Sequence, residues 1–128
     1  MSFEVEAESG HKILIDMPEA SGGEDKGPRP AELVLVSLVG CTAVDVVFIL
    51  KKMREELSGL EVSLKSEKAE KHPKVLTKIH MEYNFKGKDL KEEKVKRAIE
   101  LSLGKFCSVK AMLEKTAEIT YSFTINKA

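Results

Sequence analysis

Near the start of the chain apolar and acidic residues alternate, with Phe3, Val5 and Ala7 interleaved with Glu4, Glu6 and Glu8. Ser9-Gly10 follows, then the short run Lys12-Ile13-Leu14-Ile15-Asp16-Met17. A period of two interrupted by a turn pair predicts an edge β-hairpin. Pro18 to Pro30 contains Pro18, Gly22, Gly23, Gly27, Pro28 and Pro30, which predicts a loop whose Gly-Gly pair reaches backbone angles other residues resist. No proline intervenes from Ala31 to about Leu57, so a long helix is expected there, opened by Pro30 and Glu32 and stopped by Ser58-Gly59. Lys51, Lys52 and Arg54 lie toward its negative end, and Gly40 marks a place for a bend.

Alternation resumes from Glu61 to Glu70 and from Val75 to Phe85, where Val75, Thr77, Ile79, Met81, Tyr83 and Phe85 share one face. These segments predict two strands around a turn at His72-Pro73, with Gly87 ending the second. A helix is expected from near Lys91 until Gly104 breaks it, then a short helix through Phe106, Val109 and Leu113. A last strand is expected from Ala117 to Ile125. The expected order is strand-strand-helix-strand-strand-helix-helix-strand, and 128 residues suit a single domain spanning 1–128.

Between Leu33 and Leu50, 14 of 18 residues are hydrophobic, which approaches the length of a membrane span. Ser37, Gly40, Thr42 and Asp45 interrupt it, Asp45 is costly in lipid, and there is no second such segment. The better expectation is a central helix covered on nearly all sides by a sheet, a partner helix or another subunit. A chain of this size struggles to wrap it alone, so a homodimer is expected, and no membrane.

Lys plus Arg and Asp plus Glu both number 21, giving zero net charge. With a pI near 6.8 there is no basic surplus for phosphate-backbone binding, and no nucleic-acid partner is expected. Met1-Ser2-Phe3-Glu4-Val5-Glu6 shows neither a cationic leader nor an apolar signal core, which makes the cytoplasm the expected location.

The two cysteines, Cys41 and Cys107, are 66 positions apart. Without a secretion signal such a pair is buried, ligating or redox-active more readily than a structural staple, and spacing does not choose among these. Cys41 fills core volume on one reading; on the other it meets Cys107 to form a dithiol, one attacking and one resolving. Each follows a glycine, Gly40 or Gly104, and helix breaks there would leave amides near each sulfur to favour a thiolate. Arg29, one of three arginines, lies in Gly-Pro-Arg-Pro, where it is either an exposed loop residue or a cation held near the start of the Cys41 helix. Glu32 is a candidate catalytic carboxylate that such a cation would position, with capping of the helix start as its ordinary alternative role. Asp45 shares the helical side of Cys41 and needs a partner if buried; a structural bond to a backbone group or cation across an interface is expected. His11, His72 and His80 show no ligand-like clustering with the cysteines, so no metal is expected. No phosphate-binding glycine loop or nucleophile elbow occurs, and no cofactor is expected.

Pro30-Ala31-Glu32-Leu33, Val39-Gly40-Cys41-Thr42-Ala43, the His72-Pro73 turn, Arg97-Ala98-Ile99 and Phe106-Cys107-Ser108-Val109 together resemble the osmotically inducible protein and organic hydroperoxide resistance superfamily over nearly the whole chain. The resemblance implies an α+β, OsmC-like fold in which two intertwined subunits enclose central helices between curved antiparallel sheets. It also implies that Cys41 is the peroxidatic cysteine and Cys107 the resolving one, the resulting disulfide being opened by a dithiol reductant. Arg29 would stabilise developing negative charge. Family peroxidases place a glutamate directly after the proline, where this chain has Ala31, and Glu32 follows one residue later, about 100 degrees round a helix. In this it resembles a less characterised OsmC-like branch. Two functions stand against each other: a thiol-dependent peroxidase reducing organic hydroperoxides, and a non-catalytic dimer that binds a small apolar ligand or serves as an interaction module.

Overall fold

The computed structural model describes residues 2–127, which divide into two compact units, one ending at Ser37 and one beginning at Leu38. In the first, β1 (Ser2–Glu6) and β2 (Lys12–Asp16) form the expected antiparallel hairpin, Phe3 opposite Ile15 and Val5 opposite Ile13. Gly10 turns it at a positive φ of 89°. The loop after β2 is organised by the buried carboxylate of Asp16, which accepts the backbone amides of Met17 (2.7 Å), Lys26 (3.1 Å) and Glu24 (3.2 Å). Gly22 is left-handed at φ 90°, and a side chain at Gly23 would run into the Met17 carbonyl, so the Gly-Gly pair is required by both angle and space. Helix α1 (Pro30–Lys52) begins in this unit and continues into the second.

In the second unit α1 ends earlier than the sequence predicts. The amides of Arg54 and Glu55 donate to the carbonyls of Lys51 and Leu50, both at 3.0 Å, with Arg54 left-handed at φ 61°. This crossed pair of bonds is the usual glycine-terminated helix ending, made here by an arginine, so no glycine marks it. Ser58-Gly59 is no helix stop but part of β3 (Leu57–Lys68), at a register irregularity between Leu57 and Gly59. Nor does Gly40 interrupt α1, which is continuous through it.

Strand β4 (Leu76–Gly87) pairs antiparallel with β3, and β5 (Glu118–Asn126) lies on its other side. β5 runs parallel to β4, which corrects the expectation of purely antiparallel sheets. The physical reason is the connection: α2 (Glu92–Leu101) and α3 (Ser108–Leu113) carry the chain back before β5 begins, as a parallel pairing demands. The expected face of β4 is the core, with Ile79, Met81, Tyr83 and Phe85 all at most 1% exposed. Tyr83 and Phe85 meet Tyr121 and Phe123 of β5 edge to face at 6.2 and 6.4 Å. α1 contributes a stripe at four-residue spacing, Leu38, Thr42, Val46 and Leu50, each fully buried, while Val44, Val47 and Phe48 are exposed. α2 adds Val95, Ala98 and Ile99. Burying each large side chain of this core contributes about 1.5–3 kcal/mol.

Gly104 likewise does not end α2 in a plain break. The helix widens into a π-helical turn over Ser102–Phe106, closed by the Cys107 amide donating to the Ser102 carbonyl at 2.7 Å. The turn delivers Cys107 to the N-cap of α3.

Candidate functional site: a cysteine pair with a tethered carboxylate

Two elements bring residues of the second unit together in the site. Cys41 and Asp45 are one turn apart on α1, and Cys107 arrives from the π turn. Their Sγ and carboxylate oxygen atoms all lie within 4.8 Å of one another. Both cysteines are free thiols, Cys107 buried and Cys41 partly exposed.

The two thiols differ in their surroundings. Burial opposes ionisation of Cys41, but it is outweighed by hydrogen bonds to its sulfur from the Val109 amide, the Cys107 thiol, and the hydroxyl and amide of Ser108, and its pKa falls below the ordinary 9.0. Ser108 Oγ stands 4.0 Å from Cys41 Sγ. The amides that favour the thiolate therefore come from the start of α3, across the site, and not from a break at Gly40. Cys107 is pushed up to about 11, first by burial, then by the negative charge of Cys41 and Asp45, against the opposing Lys110 amide. That amide donates to Cys107 Sγ at 3.4 Å.

Asp45 has a side-chain hydroxyl as partner where the sequence predicts a backbone group or cation: Ser102 Oγ donates to its Oδ2 at 3.0 Å. Ser102 Oγ also meets Thr42 Oγ1 at 2.8 Å, and Thr42 Oγ1 meets the Tyr83 hydroxyl at 2.8 Å. Each hydroxyl has one proton, and the Ser102 proton goes to the carboxylate, so Thr42 donates to Ser102 and accepts from Tyr83, whose hydroxyl proton also has the Met81 sulfur at 4.0 Å. Burial holds the Tyr83 phenol at about 12, keeping it a donor. All three hydroxyl residues are fully buried, and the chain of bonds fixes the carboxylate beside the sulfurs. Asp45 also lines a surface cavity of about 170 Å³, together with Phe48, Ile49, Lys52 and Phe106.

Arg29 and Glu32 belong to the first unit. The Arg29 guanidinium lies 2.7 Å from Asp25 Oδ1, donates to the Gly27 carbonyl at 3.0 Å and reaches Glu32 at 3.9 Å. Glu32 Oε1 accepts the Arg29 amide at 2.9 Å, the back-bond of a helix cap, so the expected capping role is present and Arg29 and Glu32 are held to each other.

Sequence reasoning missed Ser102, Ser108, Tyr83 and Thr42. Thr42 carried a signal: it is the one polar member of the 38/42/46/50 stripe, and a buried hydroxyl requires a partner. Ser102 carried none, because a π turn leaves no mark in hydrophobic periodicity.

A free dithiol carried on helical elements, one member favoured as thiolate, beside a tethered carboxylate, defines a protein of thiol chemistry on an α+β scaffold. The OsmC-like protein family matches residues 23–122, and the chain belongs to that family. It is 43% identical over 125 residues to Protein YhfA of Escherichia coli K12, covering 98% of this chain and 90% of that protein. It is also similar to a hypothetical protein of Aquifex aeolicus VF5, at 34% identity and TM-score 0.85, covering 99% and 89% of the two chains. An organic hydroperoxide resistance protein of Elizabethkingia anophelis shares the fold at TM-score 0.74 and 14% identity, covering 98% and 94%.

Proposed function

We propose that the protein is a thiol-dependent peroxidase that reduces organic hydroperoxides to alcohols. The observation that carries this is the approach of the stabilised Cys41 sulfur to Cys107, within 4.8 Å. The organic hydroperoxide resistance protein that shares its fold agrees with the substrate class.

The Cys41 thiolate attacks the terminal oxygen of ROOH, the O–O bond breaks, and RO⁻ leaves and takes up a proton as ROH. Cys41 is then a sulfenic acid. Cys107, a protonated thiol, attacks its sulfur; the Asp45 carboxylate accepts the thiol proton and passes it to the sulfenic hydroxyl, which leaves as water. A dithiol reductant opens the Cys41–Cys107 disulfide by two exchanges and becomes oxidised itself. Phe48, Ile49 and Phe106 favour an apolar alkyl group in the cavity.

The active form is a homodimer in the cytoplasm, in which a second copy covers Val44, Val47 and Phe48, which are 62%, 44% and 63% exposed. That cover makes α1 an internal helix instead of a membrane span.

Stopped-flow peroxide titration of wild type, Cys41→Ser and Cys107→Ser tests the reading. Fast oxidation is expected in wild type and Cys107→Ser, with the sulfenic acid accumulating in the latter, and none in Cys41→Ser. Equal slow oxidation of all three defeats it and favours a non-catalytic ligand-binding dimer.

A further inference from the structure

The spacing of the histidines pointed away from a metal, yet the fold gathers a different donor set. Cys41 and Asp45 stand four residues apart on one helix, a spacing that presents two ligands on one side, and Cys107 supplies a third from another element. We propose that the reduced protein binds one zinc-class divalent ion through Cys41 Sγ, Cys107 Sγ and the Asp45 carboxylate, with the fourth position open toward the cavity.

The donor chemistry fits. Two thiolates and a carboxylate suit a borderline-soft ion and discriminate against magnesium or calcium, which take oxygen. A tetrahedral zinc holds sulfur at about 2.3 Å and carboxylate oxygen at about 2.0–2.2 Å, so its donors stand roughly 3.5–3.8 Å apart. Those of Cys41, Asp45 and Cys107 are already within 4.8 Å, a separation that small side-chain rotations close.

The surroundings have the two features that distinguish a metal site from a chance cluster. The carboxylate is oriented from behind by Ser102 at 3.0 Å, itself held by Thr42 and Tyr83. Access is supplied by the cavity lined by Asp45, Phe48, Ile49, Lys52 and Phe106 and by the partial exposure of Cys41. Binding displaces the protons still held by the two thiols and forms two metal–sulfur bonds, with no change of oxidation state.

The site stands on the geometry alone; its consequence rests on the peroxidase reading. Thiolates bound to the ion are withdrawn from attack on a hydroperoxide, so zinc would act as a reversible inhibitor, relieved when a chelator takes up the ion.

The test is titration of the full-length protein with cadmium, kept reduced by a phosphine and without peroxide, followed by the ultraviolet thiolate-to-metal charge-transfer band. Zinc affinity is then read by competition with a chromophoric chelator. One equivalent is expected per chain, with affinity lowered roughly 100-fold or more in Cys41→Ser and Cys107→Ser and roughly tenfold in Asp45→Asn. Ser102→Ala keeps all three donors and is expected to weaken binding less than Asp45→Asn. Circular dichroism of each variant identifies any that fail to fold, and the remaining variants then decide. Wild-type affinity in Asp45→Asn, or a Cys107→Ser protein that binds like wild type, overturns the site. Because no peroxide is present, metal binding without peroxidase activity refutes only the redox reading, and peroxide oxidation without metal binding refutes only this one.

Discussion

Ser102 holds Cys107 through the backbone, its carbonyl accepting the Cys107 amide at 2.7 Å, while its hydroxyl donates to Asp45 at 3.0 Å. One residue of a π turn thus sets the positions of two of the three groups at the site. Ser102→Ala keeps the backbone bond and removes the hydroxyl, leaving the buried Thr42 hydroxyl without its acceptor and Asp45 without its donor. A loss of about 1–3 kcal/mol is expected, which for a domain of this size lowers the melting temperature by roughly 4–12 °C. Calorimetry checks it; an unchanged melting temperature means the chain of hydroxyls contributes no net stability.

The contrast between the thiols predicts an order of reaction. The pKa of Cys41 lies below the usual 9.0 and that of Cys107 near 11, so iodoacetamide near neutral pH should label Cys41 first. The signs also differ for folding. The raised pKa of Cys107 contributes stability that is complete below the unfolded value of 9.0 and lost as pH rises toward 11. The lowered pKa of Cys41 contributes stability present above 9.0 and lost as pH falls through its folded value. Peptide mapping of the alkylated protein across pH checks the order, and faster labelling of Cys107 contradicts it.

Asp16 sets the loop of the first unit. Burial works against its carboxylate, but the amides of Met17, Lys26 and Glu24 outweigh this and hold its pKa below the ordinary 3.8. Its contribution is therefore complete above 3.8 and lost as pH falls through the lower folded value. Asp16→Asn removes one acceptor oxygen and turns an N–H₂ group toward amides. Faster hydrogen exchange at Met17, Glu24 and Lys26 is expected, measured by mass spectrometry, and unchanged protection there contradicts the role.

Phe106 lines the cavity beside Asp45 while being 52% exposed, so its removal should cost binding more than folding. Phe106→Ser is expected to raise KM for a bulky apolar hydroperoxide about tenfold, as the loss of ~1.4 kcal/mol of apolar contact implies, with little change for hydrogen peroxide. Steady-state kinetics with the two substrates checks it; equal effects on both place the substrate elsewhere.

The order of elements was legible because periodicity reports which face of each element is buried, and the core face of β4 follows it from Ile79 to Phe85. Element ends were less legible where backbone bonds decide them: Arg54 terminates α1 without a glycine, and Ser58-Gly59 lies in a strand. Strand direction was hidden as well, since β5 pairs through contacts with β4 more than thirty residues earlier in the chain. At the site, the Cys41–Asp45 neighbourhood follows from helical spacing, but the arrival of Cys107, the amides of Ser108 and Val109, and the Ser102 tether are tertiary facts with no local signature.

The central claim is that the sulfurs of Cys41 and Cys107 exchange two electrons with a hydroperoxide as a pair. Its most direct measurement is mass spectrometry of the reduced protein after one equivalent of an organic hydroperoxide, with the digest searched for the linked peptides. The expected result is one disulfide within each chain joining residues 41 and 107, together with one equivalent of alcohol. Free thiols at both positions, or stable overoxidation of Cys41 while Cys107 remains reduced, would contradict it.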